Sequence, residues 1–204
     1  MKKIHEVNVI EVKRCFVISQ LIKLQKGKKR YLGLLPQSDF ERKLISAKKR
    51  ALKFSEKQLD KIIADEYKKR LKAYNQCKWY IGSVSTSEVG VWKGAGGLPL
   101  AWTKGSLKYT AQKIKQALNT NPKLITKRAR RAIPNMLQTN LSDFQEDKYL
   151  LPIIFKGGTG TNGRKGLKQK MKGDIDDGCM RSITLAIDGT QTIKAYVGLP
   201  KIAA

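Results

Sequence analysis

The chain has 204 residues and carries 42 lysines and arginines against 16 aspartates and glutamates, so its formal net charge is +26. This length suits a single domain with one hydrophobic core, and a hydrophobic content of 41% is ordinary for a folded protein. No apolar run approaches the ~20 residues that span a bilayer. Three distant cysteines and one histidine exclude a disulfide framework and a histidine-rich metal site.

The first segment of the chain is predicted to form strands. Residues 4–12 and 15–24 are rich in valine and isoleucine and partly alternate with polar residues, a pattern that favours two strands. Gly27-Lys28-Lys29 then predicts a hairpin turn into a third short strand over residues 31–35, which Pro36 ends.

Two capping-box sequences predict the first helices. Ser38 is followed three residues later by Glu41, and Ser55 is followed in the same way by Gln58. The apolar residues expected on the buried faces of these helices are Phe40, Leu44, Ala47, Ala51, Leu59, Ile62, Ile63, Tyr67 and Leu71.

The middle of the chain is predicted to hold one strand, one loop and a helical region. Residues 78–84 favour a strand, and the glycine-rich residues 90–99 favour an irregular loop. Residues 106–138 have helical spacing of their apolar positions. Asn121 and Pro122 predict the end of one helix and the start of a second, because asparagine caps helices and proline suits a first helical position.

The last quarter is predicted to be strands and loops. Residues 149–155 favour a strand that Pro152 interrupts, and a second glycine-rich loop runs over residues 157–166. Asp188-Gly189 between residues 183–187 and residues 192–197 predicts a closing hairpin.

These elements together predict an α+β fold in which strands at both ends of the chain pack with a central set of basic amphipathic helices. The strands are the N-terminal ones and the C-terminal hairpin. We expect a single domain over residues 1–204, with residues 84–138 as a candidate sub-lobe that resembles a helix-turn-helix in its geometry. An ordinary helical hairpin with solvated arginines is the alternative for that sub-lobe.

The charge is distributed unevenly along the chain. Residues 84–138 hold ten basic residues and one acidic residue, and no acidic residue lies between Glu88 and Asp143. A surface shaped only by solubility mixes both signs, so this segment is predicted to face a polyanion. Nucleic acid is the usual polyanion, because neutralising its phosphates releases counterions. Lysines outnumber arginines 32 to 10, which favours contact with the phosphate backbone.

The predicted binding residues are the basic side chains of the helical region and of the second glycine-rich loop, together with one tryptophan that could stack on a base. They are Lys108, Lys113, Lys115, Lys123, Lys127, Arg128, Arg130, Arg131, Arg164, Lys165, Lys168, Lys170 and Trp92.

A short acidic run offers an alternative chemistry. Asp174, Asp176 and Asp177 are close in sequence, and clustered carboxylates can hold Mg²⁺, which activates water for phosphodiester hydrolysis. The competing interpretation is an Asp/Gly-rich turn that leads into the last hairpin. Residues 158–163 match the spacing of a dinucleotide-binding fingerprint, but no room remains for the βαβ unit that this fingerprint requires.

The sequence therefore predicts a nucleic-acid-binding protein, with RNA slightly favoured over DNA, that serves as a non-catalytic subunit of a ribonucleoprotein or nucleoprotein complex. Other proteins of that complex are expected partners, and a membrane is not. The N-terminus lacks the continuous apolar stretch of a signal peptide, so an intracellular, cytoplasmic location is expected. No cofactor or metal is predicted. The alternative is a Mg²⁺-dependent nuclease that uses Asp174, Asp176 and Asp177.

Overall fold

A mixed six-stranded sheet organises the computed structural model of the chain. The structure describes residues 1–25, 28–29, 37–66, 68–92, 94–156 and 171–201. The strands are β1 (Lys2–Val7), β2 (Leu24–Gln25), β3 (Lys28–Lys29), β4 (Cys77–Ser85), β5 (Val89–Val91), β6 (Ile153–Lys156), β7 (Gly173–Asp177) and β8 (Thr192–Pro200). The α-helices are α1 (Val9–Lys23), α2 (Gln37–Leu52), α3 (Glu56–Glu66), α4 (Lys68–Asn75), α5 (Leu107–Thr120), α6 (Lys127–Leu137), α7 (Asp143–Glu146) and α8 (Cys179–Ile187).

The strand order in the sheet is β1-β4-β8-β6-β7-β5, and β2 and β3 form a separate antiparallel pair. β4 is antiparallel to both β1 and β8, and β6 is antiparallel to β7. The β6–β8 and β5–β7 pairs are parallel. Strands from the two ends of the chain thus flank β4, with helices between them in sequence, which confirms the predicted α+β class.

Four aromatic rings form the centre of the core. Phe16, Tyr74, Trp79 and Phe155 lie with neighbouring ring centroids 5.2–6.0 Å apart, in tilted and edge-to-face arrangements that aromatic quadrupoles favour. Trp79 Nε1 donates a hydrogen bond to the Tyr74 carbonyl oxygen at 2.9 Å. These contacts join α1 and α4 to the sheet.

The prediction of a strand over residues 15–24 is wrong, because residues 9–23 form α1. This helix is buried around most of its circumference, so its sequence lacks the one-sided apolar stripe that identifies a helix. The missed signal is Asn8, whose Oδ1 accepts a hydrogen bond from the Ile10 backbone N–H at 2.9 Å and so caps the helix. None of the helices within the described ranges is long and apolar enough to cross a membrane.

The predicted closing hairpin is also wrong. Residues 183–187 belong to α8, and Asp188 and Gly189 end this helix instead of turning between two strands. Gly189 has a φ of 107°, which suits the left-handed residue that follows many helices. β8 pairs with β4 and β6, which lie far away in the sequence. The prediction failed because an apolar run of five residues fits a strand and a buried helical segment equally well.

Helices follow both capping-box sequences, but α2 already begins at Gln37, so Ser38 lies inside it and is not its N-cap. The second predicted helix is divided into α3 and α4. The Ser55 backbone N–H donates to Gln58 Oε1 at 2.8 Å, while the Gln58 backbone N–H donates to Ser55 Oγ at 3.4 Å. The predicted stripe residues Phe40, Ala47, Ala51, Leu59 and Ile63 are buried, and Leu44, Ile62 and Leu71 are partly buried against them. The side chains of Ser38 and Tyr67 lie outside the described residues.

The remaining strand predictions had mixed outcomes. The strand over residues 78–84 is confirmed as part of β4. Pro152 immediately precedes β6, which occupies an interior place in the sheet, so proline does not interrupt this strand. Residues 90–99 are not wholly irregular, because they include part of β5. Residues 31–35 and 157–166 lie outside the described part of the chain.

All three cysteines are buried, and none of them forms a disulfide. Burial raises the pKa of the Cys15 thiol, and it raises the pKa of Cys77 to about 11. Cys15 and Cys77 therefore act as small apolar groups and stay protonated at neutral pH.

Candidate nucleic-acid interface and an adjoining cavity

The first helix of the basic segment forms as its sequence predicts. Ser106 Oγ accepts a hydrogen bond from the Tyr109 backbone N–H at 3.1 Å and caps α5. Leu107, Ala111 and Ile114 are buried, as expected from their spacing. The opposite side of α5 carries polar and basic residues.

The connection to the second helix differs from the prediction. Asn121 Oδ1 accepts from the Lys123 backbone N–H at 3.2 Å, and Pro122 follows, but these residues open a 3-10 turn. α6 begins only at Lys127, after Thr126 has capped it through a hydrogen bond from Ala129. Residues 121–126 thus separate the helices, a longer connection than the 3–4 residues typical of a helix-turn-helix. Both helices pack against α8.

The two faces of α6 have opposite character. The buried face consists of Ala129, Ala132, Ile133 and Met136. The other face carries Lys127 and Arg131, which are exposed, and Arg130, which is half-buried. These last three residues line one shallow depression, which we call the α6 surface.

The other predicted contacts are more scattered. Lys108, Lys115 and Lys123 are exposed, and Lys115 Nζ donates to the Ile187 carbonyl oxygen at 3.5 Å. Lys113 is half-buried, with its Nζ 5.7 Å from the centroid of the Tyr109 ring. The predicted loop residues Arg164, Lys165, Lys168 and Lys170 fall outside the described residues.

A cavity of about 280 Å³ lies beside α6, at the carboxyl end of β7. α1, α3, α4, α6 and the first turn of α8 all contribute to its wall, and we call it the β7 cavity. Its charged lining residues are Lys23, Glu66, Arg70, Arg128, Asp176, Asp177 and Arg181. Its large apolar lining residues are Phe16, Trp92, Met136 and Met180.

The two carboxylates at the end of β7 are held by cations. Asp176 Oδ2 accepts hydrogen bonds from Arg70 Nε at 3.0 Å and from the Tyr74 hydroxyl at 3.1 Å. Asp177 forms salt bridges with Lys23 at 3.2 Å and with Arg181 at 3.3 Å. Burial alone would raise the pKa of Asp177, but Lys23 and Arg181 hold it below its usual range. Asp177 is therefore ionised at neutral pH.

The acidic run does not have the geometry of a metal site. Asp174, Asp176 and Asp177 are buried in β7, so the run is a strand and not the turn offered as a competing interpretation. Among the residues that the structure describes, no group of three or more histidine, cysteine or acidic side chains is placed to hold a metal ion. The physical reason is that cations already engage two of the carboxylates.

Arg181 and Gly178 are packed tightly at the N-terminus of α8. Gly178 precedes the helix with a φ of 87°, and a Cβ placed on it would lie 3.0 Å from Pro152 and 3.1 Å from Arg181 Nη2. Arg181 is only 3% exposed, and its Nε has no hydrogen-bond partner among the described residues. The guanidinium is thus fixed in the cavity wall with part of its donor capacity unused.

Comparison of the chain with protein-family models, curated proteins and solved structures finds no match. The interpretation of both sites therefore depends on their own chemistry.

The sequence predicted only some of the residues that line the β7 cavity. Trp92, half-buried in its wall, and Arg128 were predicted as binding residues, but Lys23, Arg70 and Arg181 were not. Arg181 left a usable signal, because it is the single charged residue of the apolar helix α8 and follows Asp177 at i,i+4 spacing. Lys23 and Arg70 reach the cavity from helices distant in sequence, and no local pattern marks them.

Proposed function

We propose that the protein binds nucleic acid through its phosphate backbone, with the α6 surface as the main contact. The observation that supports this most directly is that Lys127 and Arg131 are exposed and have no acidic partner in the described part of the chain. Both are exposed, and they lie between Glu88 and Asp143, a stretch that contains no acidic residue. Neither has a salt bridge with any residue that the structure describes. An external polyanion would supply the missing negative charge.

Several cations elsewhere in the molecule have acidic partners. Lys13 pairs with Glu56 and Asp60, Lys48 pairs with Asp147, and Lys172 pairs with Glu88. The residues that line the α6 surface include no acid, which supports a negatively charged partner from outside the chain.

The expected mode of binding is recognition of backbone and shape. Lysines contribute point charges, which suit phosphates better than base edges. We favour structured RNA over duplex DNA, and we expect the protein to act within a nucleoprotein complex together with other proteins.

The test measures binding of labelled RNA and DNA by fluorescence anisotropy between about 50 and 300 mM salt. Phosphate contacts weaken strongly in this range, and an interface with about six of them loses about 10³-fold or more in affinity. We expect the double variant Lys127→Glu, Arg131→Glu to bind at least about tenfold more weakly and with a shallower salt dependence. The matched control is Lys57→Glu, Lys61→Glu on α3, which reverses two exposed lysines elsewhere. Wild-type protein that retains neither RNA nor DNA in a salt-sensitive way would overturn the proposal.

The nuclease alternative is tested in the same reactions with added Mg²⁺. Cleavage that disappears in Asp176→Ala would contradict a non-catalytic role. Tight binding without cleavage would agree with the proposal.

A further inference from the structure

The β7 cavity has a size that the proposed backbone contact does not require. Its volume of about 280 Å³ is close to the lower end of the ~300–1,000 Å³ found for small-molecule sites. It is too small for a duplex and suits a ligand of one nucleotide. Its walls combine charged and large apolar side chains, as sites for small polar ligands commonly do.

The charged part of the wall favours an anion. Four cationic and three acidic residues line it, so the wall has one more positive than negative charge. Arg181 is 3% exposed and keeps its Nε without a partner among the described residues. It stands in the first turn of α8, where free backbone N–H groups and the helix dipole also favour an anion. Two independent features thus converge on a phosphate-sized group.

The apolar part of the wall favours a nucleobase. Trp92 is half-buried and lines the cavity near Met180, and the adjoining turn is fixed by Thr126 Oγ1, which donates to the Gly96 carbonyl oxygen at 3.2 Å. A Cβ on Gly96 would collide with the Met180 sulfur at 2.7 Å, so the turn packs closely on α8. Trp92 itself packs against the core while staying partly exposed, and bases stack on such rings without sequence preference.

α6 joins the cavity to the outer surface. Arg128 lines the β7 cavity, whereas its neighbours Lys127 and Arg131 lie on the α6 surface. A strand whose phosphates follow the outer side of α6 would have its end within reach of the cavity.

We propose that the β7 cavity binds a single nucleotide, with its phosphate on Arg181 and the N-terminus of α8 and its base against Trp92. The chemistry is the same for a free mononucleotide and for the terminal nucleotide of a strand. The strand-end source rests on the proposed function, because it requires the rest of the strand to lie on the α6 surface.

The experiment uses isothermal titration of the full chain with two kinds of probe. The first is each of the four ribonucleoside 5′-monophosphates, and the second is a single-stranded RNA hexamer with either a 5′-phosphate or a 5′-hydroxyl. The variants are Arg181→Gln and Trp92→Ala. The matched controls are Arg42→Gln, which changes an exposed arginine of α2, and Trp102→Ala, which removes a half-buried indole that does not line the cavity.

We expect saturable binding of a monophosphate or of the 5′-phosphorylated hexamer, weakened about tenfold or more by Arg181→Gln, as for loss of a charge-assisted contact. Trp92→Ala should weaken it about fivefold or more, and both controls should change it by less than about twofold. Stronger binding of the phosphorylated hexamer than of any monophosphate assigns the site to strand ends. The reverse order assigns it to free nucleotides.

The proposal is overturned if no monophosphate binds and neither cavity variant changes hexamer binding. If Arg181→Gln does not fold, as judged by circular dichroism, the partly exposed position of Trp92 keeps the second variant decisive. The monophosphate titration does not depend on the α6 surface, so failure of the proposed function and failure of this inference give different results.

Discussion

Buried cations of this protein have acidic partners, whereas the exposed cations of the α6 surface have none within the described ranges. Lys13, only 1% exposed, lies 2.9 Å from Glu56 and 2.7 Å from Asp60, and Arg181 is paired with Asp177. Lys127 and Arg131 on the α6 surface have no comparable partner among the described residues. A buried charge without a partner is costly, whereas an exposed one is solvated by water. The chain has few acids, and several of them are placed where a lone cation would destabilise the fold.

The largest effect should come from removing a buried acid. Asp177→Asn keeps the shape of the side chain but leaves Lys23 and Arg181 without their carboxylate, so the free energy of unfolding should fall by about 3–5 kcal/mol. Urea unfolding followed by circular dichroism measures this. Asp188→Asn, at the exposed end of α8, should cost less than about 0.5 kcal/mol. Equal losses in both variants would remove the distinction between buried and exposed charge.

The next effect concerns the backbone that positions Arg181. Gly178→Ala forces a Cβ into a left-handed residue and within 3.0 Å of Pro152, so it should destabilise the protein by about 2–3 kcal/mol. Gly189→Ala is the matched control, because φ is also positive there but its Cβ would meet nothing within 4 Å. The control should therefore lose only about 1 kcal/mol from backbone strain. A thermal unfolding scan of both variants checks the difference, and a control as damaging as Gly178→Ala would contradict the close packing described here.

The α6 surface should make almost no contribution to folding. Lys127→Ala with Arg131→Ala should change the free energy of unfolding by less than about 0.5 kcal/mol, since exposed charges without partners contribute little to stability. The same denaturant titration measures it. A loss of several kcal/mol would mean that these side chains have a structural role, and the contrast with the buried cations would fail.

The smallest effect is a pH dependence at Glu88. Hydrogen bonds from Lys172 and from the N-terminal amine lower the pKa of Glu88 from 4.5 to about 2. Because the folded-state pKa is depressed, the stabilisation is present above pH 4.5 and is lost as pH falls towards 2. The difference in unfolding free energy between wild type and Glu88→Gln should therefore shrink over that interval. A difference that stays constant from neutral pH to pH 2 would disprove the assignment.

Local signals in the sequence predicted part of this structure. The capping residue Ser55 located α3, because a cap acts within a few residues of itself. The helical spacing of its apolar residues located α5. The apolar stretch of α1 was misassigned as a strand, since burial on several sides removes the one-sided pattern of a surface helix. The apolar run of α8 was misassigned because five residues are too few to separate a strand from a helix. Asn8 carried a cap signal that would have corrected α1.

The strand order of the sheet could not be predicted, because its strands pair residues that are far apart in the sequence. Cys77 at one end of β4 pairs with Pro200 of β8, and β6 lies between β8 and β7. No short window of sequence contains both partners of such a pair. The β7 cavity has the same origin, because Lys23, Arg70 and Arg181 belong to three separate helices that are far apart in the sequence and meet only in the folded structure.

The burial of all three thiols gives the molecule an internal reporter of its own opening motions. An alkylating reagent can reach Cys15 or Cys179 only when the surrounding structure transiently opens, so the modification rate follows that opening. Cys179 lies in the wall of the β7 cavity, whereas Cys15 lies in the core near Tyr149 and Leu151. Occupancy of the cavity would thus protect Cys179 from alkylation more than Cys15, and mass spectrometry of the two peptides would reveal a bound ligand without any added label.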